Sequence, residues 1–140
     1  MILITTAFHI AIIGFMVFFI VVVAPSVFKT LSQNAAGTFL RVLFPRMFVY
    51  GLALSLAASA VAAFDGDKIN ALLSIAISTG FALNAFIVTP IINKQRDSML
   101  DGDQVASKKF KQFHFVSVAI FITQLITSAY IISINLMMIS

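Results

Sequence analysis

Four long apolar runs constrain this chain more than any other feature of its sequence. They cover residues 2–24, 42–64, 69–92 and 113–139, and their interiors carry almost no charge. A helix needs about 20 apolar residues to cross a hydrocarbon core of about 30 Å. It is also the open-chain element that satisfies its own backbone polar groups in lipid. The sequence therefore predicts an all-α integral membrane four-helix bundle, with one four-span domain over residues 1–140.

Composition agrees with a membrane location. Hydrophobic residues make up 61% of the chain and charged residues only 10%, whereas soluble domains carry about 25% charged residues. These values exclude a soluble enzyme and a nucleic-acid-binding module. The absence of cysteine also excludes a disulfide scaffold. The expected partner is the lipid bilayer, with no nucleic acid.

The positions of lysine and arginine predict an orientation. Eight of the nine basic residues lie in, or at the edge of, segments 25–45 and 93–112, and the ninth is Lys68. Short loops rich in Lys and Arg stay on the cytoplasmic side of a membrane. We therefore expect loops 25–45 and 93–112 to be cytoplasmic and both termini to be outside, in a bacterial inner membrane.

The two halves of the chain share a weak repeat. A shift of 65 residues places 23–29 over 88–94, with Pro25 on Pro90 and Lys29 on Lys94. This register predicts two tandem helical hairpins in the same orientation. The alternative is that proline and lysine simply recur wherever a helix ends at the cytoplasm.

Small and polar residues in the last three runs mark the faces expected to pack together. Membrane helices meet through small residues and buried hydrogen bonds. The spacing places each set on one face: Gly51, Ser55, Ser59 and Ala63; Asn70, Ser74, Ser78 and Asn84; Ser117, Gln124, Ser128 and Asn135. We expect Asn84 and Gln124 inside the bundle, either as contacts between helices or as the lining of a ligand cavity.

His9 is the ionisable residue placed well inside a predicted span. Such residues are functional candidates because burying a charge in lipid is costly. Its possible roles are a neutral hydrogen bond to a neighbouring group, ligation of haem or a metal ion, and a proton relay. A complete metal site has few other ligands, because the chain has no Cys, no Glu and no Asp within a span.

Polar residues at helix ends on the expected cytoplasmic side form a second candidate site. They are Arg46, Asn93, Arg96, Asp97 and His114. Arginine suits bidentate binding of carboxylate or phosphate groups. We expect these residues to converge, either as a site for an anionic ligand or as an ion-pair network that closes the base of the bundle. In such a network Arg96 would pair with Asp97 or with the opposite loop.

A set of short motifs runs along nearly the whole chain. In order, they are Ala24-Pro25, Ala36-Gly37, Leu43-Phe44-Pro45-Arg46, Pro90, Asn93, Arg96-Asp97 and Phe113-His114. This set resembles the DUF4149, or TMEM205-like, membrane family. The resemblance implies a four-helix membrane domain whose characteristic residues lie at the cytoplasmic helix ends. Phe8-His9 followed by Pro25 is more distantly similar to CopD-like and HemJ-type membrane proteins, which implies a link to haem.

Three functions follow from these observations as expectations. The first is a small non-enzymatic multi-pass protein that binds or transports a small molecule or ion through a polar bundle core. The second is a haem- or metal-associated redox protein that uses His9. The third is a structural or assembly subunit, in a homo-oligomer or a larger membrane complex, in which the small-residue face of the second helix meets another chain.

Overall fold

The computed structural model describes residues 1–139 as four long helices. They are α1 (Ile2–Thr30), α2 (Gln33–Phe64), α3 (Lys68–Leu100) and α4 (Gln104–Ile139), and each is long and apolar enough to cross a membrane. The described residues include no strand. The predicted all-α four-helix fold is confirmed.

Three short turns connect the helices. Ser32 and Asp67 cap α2 and α3 by accepting backbone N–H groups three residues on, and Asp103 does the same for α4. Gly66 and Gly102 have φ values of +77° and +97°, which a residue with a side chain rarely adopts. We call the end with turns 31–32 and 101–103 the basic end, and the end with the two termini and turn 65–67 the terminal end.

The helices extend beyond the predicted spans at the basic end. Segments 25–45 and 93–112, expected as loops, are helical except at 31–32 and 101–103. Pro25 and Pro90, expected near span ends, do not end their helices, and a π-helical turn precedes each one, at Phe19–Val23 and Asn84–Val88. The wider turn moves the proline ring away from the carbonyl group one turn earlier, with which it would otherwise clash.

The predicted repeat is visible in these turns. The two π-helical turns lie 65 residues apart, in the register that aligns Pro25 with Pro90. The second helix of each hairpin follows a longer offset. α2 begins at Gln33 and α4 begins at Gln104, an offset of 71 residues. The connection inside the second hairpin is therefore longer than that in the first.

The bundle interior combines a hydrophobic cluster with the predicted polar faces. Ile12, Met16, Phe48, Ile77 and Phe81 are buried at its centre. The small-residue face of α2 packs inside the bundle: a Cβ built on Gly51 would lie 2.6 Å from the Phe81 ring. That face was the surface expected to meet another chain, and burial within the bundle removes most of it from that role.

Candidate functional site

A pocket of about 470 Å³ lies between the helices at the basic end. Its wall is mostly apolar, with a few polar side chains among the apolar ones. The polar members are Gln33, Arg41, Asn93, Arg96 and His114, and the apolar members include Phe28, Leu31, Phe44, Ile92 and Phe110. This size and composition are typical of small-molecule sites, which measure about 300–1,000 Å³.

Arg96 of α3 lies against the backbone of α2 within this pocket. A Cβ built on Gly37 would lie 1.6 Å from the Arg96 Nη2 atom, so only glycine leaves room for the guanidinium there. Arg96 donates one hydrogen bond of 3.3 Å to the Gln33 carbonyl oxygen. A guanidinium carries five N–H donors, so most of its hydrogen-bonding capacity is open to a ligand.

Arg41 and Asp97 form an ion pair at the rim of the pocket. The two side chains are 40% and 55% exposed, so solvent screens the pair. Asp97 therefore neutralises Arg41, whereas the sequence suggested Arg96 as one possible partner. Arg96 is left as a cation without a carboxylate partner among the described residues.

Three of the five predicted basic-end residues share the pocket. Asn93, Arg96 and His114 all line it, and the exposed His114 ring stacks on Phe110 with centroids 6.0 Å apart. Arg46 is exposed and does not line the pocket. Convergence of all the predicted cationic groups is therefore not observed, because Arg46 is not part of the shared wall.

Asn84 and Gln124 lie inside the bundle, as predicted, and away from the pocket. The Gln124 side chain donates a 2.8 Å hydrogen bond to the Ile77 carbonyl oxygen, and Asn84 donates a 3.3 Å bond to the Ser117 carbonyl oxygen. Both bonds join α3 to α4. The two side chains therefore act as contacts between helices.

His9 is completely buried and is held by two serines. Its Nε2 lies 3.0 Å from the Ser74 hydroxyl oxygen, and its Nδ1 lies 3.3 Å from that of Ser128. Ligation of haem or a metal ion needs a free nitrogen lone pair with space in front of it. No group of three His, Cys, Asp or Glu side chains in residues 1–139 converges on a metal position. The surroundings of His9 do not fit haem or a metal ion.

Sequence reasoning missed several residues of these sites. Gly37 lies in the Ala36-Gly37 motif noted in the sequence, and the small size of both residues could have suggested a close approach at that position. Arg41 lies in a basic segment but was not singled out as the partner of Asp97. Ser74 and Ser128 were predicted to face inward, but no pattern in the sequence links them to His9.

Comparison with known proteins identifies the family. A family model described as "Domain of unknown function (DUF4149)" matches residues 8–101, which is more than half of the chain. No curated protein and no solved structure matches the chain. The matched segment includes most of α1 and all of α2 and α3, with Gly37 and Arg96. The chain therefore belongs to the DUF4149 family.

Proposed function

We propose that this multi-pass membrane protein binds an amphipathic anion in the pocket at its basic end. The observation that carries the proposal is the position of Arg96. Its guanidinium rests on Gly37, has one hydrogen bond to the protein and lines a mostly apolar pocket. A cation without a carboxylate partner favours an anionic group, and the apolar wall favours an attached hydrocarbon chain.

In this proposal the polar residues of the bundle core have a structural role, and the ligand binds at the membrane surface instead. The side chains of Asn84 and Gln124 each donate a hydrogen bond to a backbone carbonyl oxygen, and these bonds join α3 to α4. The pocket lies where the helices pass beyond their apolar runs. A ligand there would place its chain beside Phe28 and Phe44 and its anionic group beside Arg96.

We also propose an orientation with the basic end in the cytoplasm and both termini outside. The support is the concentration of eight of nine basic residues at that end. In this orientation the pocket faces the cytoplasmic leaflet, where anionic lipids attract basic surfaces. The anion could then be a lipid headgroup or a free amphiphile, since both present the same chemistry.

Binding of decyl phosphate, measured by calorimetry, tests the proposal. The protein is placed in phosphatidylcholine nanodiscs, and empty nanodiscs are the blank. We expect Arg96→Ala to weaken binding about 10- to 100-fold, because hydrogen bonds to a charged group contribute about 1.5–3 kcal/mol. Arg46→Ala is the matched control, since this exposed arginine lies outside the pocket, and it should bind like the unchanged protein.

Two further titrations identify the ligand more closely. Inorganic phosphate should bind much more weakly than decyl phosphate, because it cannot use the apolar wall. Phosphatidylglycerol added to the nanodiscs should compete with decyl phosphate if the ligand is a lipid, and should not if the ligand is a free amphiphile. Equal binding to the Arg96→Ala and Arg46→Ala variants would contradict the proposal.

A further inference from the structure

His9 lies in a buried polar cluster that joins α1, α3 and α4 in the terminal half of the bundle. The His9 cluster consists of Thr6, His9, Asn70, Ser74, Ser128 and Asn135, each at most 4% exposed. Asn70 donates a 2.7 Å bond to Asn135, which donates a 3.0 Å bond to Thr6. This cluster is separate from the pocket, and the inference below does not depend on the proposed function.

The hydrogens of the two serine hydroxyl groups determine which ring nitrogen of neutral His9 carries its hydrogen. The Ser74 hydroxyl donates its one hydrogen to the Asn70 carbonyl oxygen at 2.7 Å. Its oxygen must therefore accept the bond from His9, which places a hydrogen on His9 Nε2. A neutral imidazole then offers a lone pair at Nδ1, and the Ser128 hydroxyl donates to it.

The same cluster can hold the charged imidazolium. A proton added at Nδ1 would be donated to the Ser128 oxygen, and the Ser128 hydrogen would turn to another acceptor. The Gln124 carbonyl oxygen, one turn earlier in α4, is such an acceptor. The hydroxyl groups of Thr6, Ser74 and Ser78 already donate in this way to the carbonyl oxygen four residues before them. Both ring nitrogens would keep acceptors after rotation of one hydroxyl.

The cluster is connected to the terminal end of the bundle. Asp67, partly exposed in the 65–67 turn, accepts a 2.6 Å bond from the Asn70 side chain. The Asn70 Oδ1 atom is buried without a hydrogen-bond partner. Buried polar atoms of this kind are usually satisfied by an ordered water. The Asn70 side chain therefore keeps one open acceptor within the cluster.

Few titratable groups face His9. Asp67, linked through Asn70, is the carboxylate connected to the cluster, and the tyrosines Tyr50 and Tyr130 are exposed. Lys, Arg, Asp and Glu are absent from residues 47–64 of α2, 69–93 of α3 and 115–139 of α4. A charge on His9 would therefore be stabilised mainly by its two serines.

We propose that His9 is a proton-binding site within the membrane-spanning bundle. A hydronium ion gives up a proton, an N–H bond forms at His9 Nδ1, and water is left behind; release reverses these steps. The charged form is stabilised by donation to the Ser74 and Ser128 oxygens. Proton binding and release at this position would make the charge inside the bundle depend on the pH at its terminal end.

Nitrogen-15 NMR of histidine-labelled protein in phosphatidylcholine bilayers tests this proposal, with exposed His114 as the reference signal. We expect His9 to carry its hydrogen on Nε2 near neutral pH. Acidification should convert it reversibly to imidazolium while the helical content, followed by circular dichroism, stays constant. The opposite tautomer, or an imidazole that stays neutral until the helices unfold, would overturn the proposal.

Two variants separate proton binding from a purely structural role. Ser128→Ala removes the acceptor for the added proton, so the proton affinity of His9 should fall about tenfold, the equivalent of about 1.4 kcal/mol. Ser59→Ala is the control, because Ser59 donates to the Ala71 carbonyl oxygen outside the cluster. Equal proton affinities of His9 in these two variants would also overturn the proposal. If Ser128→Ala does not fold, the nitrogen-15 NMR titration of the unchanged protein still tests the proposal.

Discussion

Replacing Gly51 by alanine should destabilise the bundle, although alanine is the better helix former. A Cβ on Gly51 would lie 2.6 Å from two atoms of the Phe81 ring, and this ring is fully buried in the hydrophobic cluster. Neither the ring nor the backbone of α2 can move without disturbing the centre of the bundle. Overpacking of this kind costs about 1–3 kcal/mol.

Gly14→Ala is the matched control for this prediction. Gly14 is exposed, and nothing lies within 4 Å of a Cβ built on it. Both variants gain the same helix propensity, about 1 kcal/mol in water, so the difference between their free energies of unfolding isolates the clash. That difference, measured by sodium dodecyl sulfate titration in mixed micelles, should be about 1–3 kcal/mol. A Gly51→Ala variant as stable as Gly14→Ala would refute the packing argument.

Three further predictions follow from the basic end. Gly37→Ala should weaken decyl phosphate binding about as much as Arg96→Ala, with little loss of stability because the displaced guanidinium is flexible; unchanged affinity in calorimetry would contradict this. Asp97→Asn should lower the free energy of unfolding by less than about 1 kcal/mol, since exposed ion pairs contribute little; a larger loss in a detergent titration would show a structural role. A cysteine at Asp67, but not at Ser107, should react with an impermeant reagent in intact cells, and the reverse pattern would invert the proposed orientation.

The parts of the fold that lipid dictates could be predicted from the sequence. Apolar length gave the four helices, and the cost of burying amides in hydrocarbon placed Asn84 and Gln124 inside the bundle. Both are buried, and both bond to a backbone carbonyl on the neighbouring helix. These predictions succeed because they depend on one helix and its solvent, and not on how helices are rotated against each other.

The details of the pocket depend on that rotation. Arg96 and Gly37 lie on different helices far apart in sequence, and their approach requires α2 and α3 to meet at one height and one angle. The partner of Asp97 depends on the same rotation, and the sequence alone left open a pair with the adjacent Arg96. Arg41 forms the observed pair because it faces α3.

The predicted ends of α1 and α3 were wrong because of the local backbone at Pro25 and Pro90. A proline in the middle of a helix normally kinks or breaks it, so Pro25 and Pro90 suggested the limits of two spans. The π-helical turn before each one removes that conflict and lets α1 and α3 continue to the basic end. Those extra turns carry Arg96 into the pocket.

The contact between Arg96 and an anionic ligand is the central claim, and a nitrogen–phosphorus dipolar coupling tests it most directly. Protein labelled with nitrogen-15 in its arginine side chains is studied with decyl phosphate by solid-state NMR in phosphatidylcholine bilayers. We expect a coupling between the ligand phosphorus and a guanidinium nitrogen that disappears in Arg96→Lys and persists in Arg46→Lys. A coupling that survives in Arg96→Lys, or no coupling in the unchanged protein, would contradict the account.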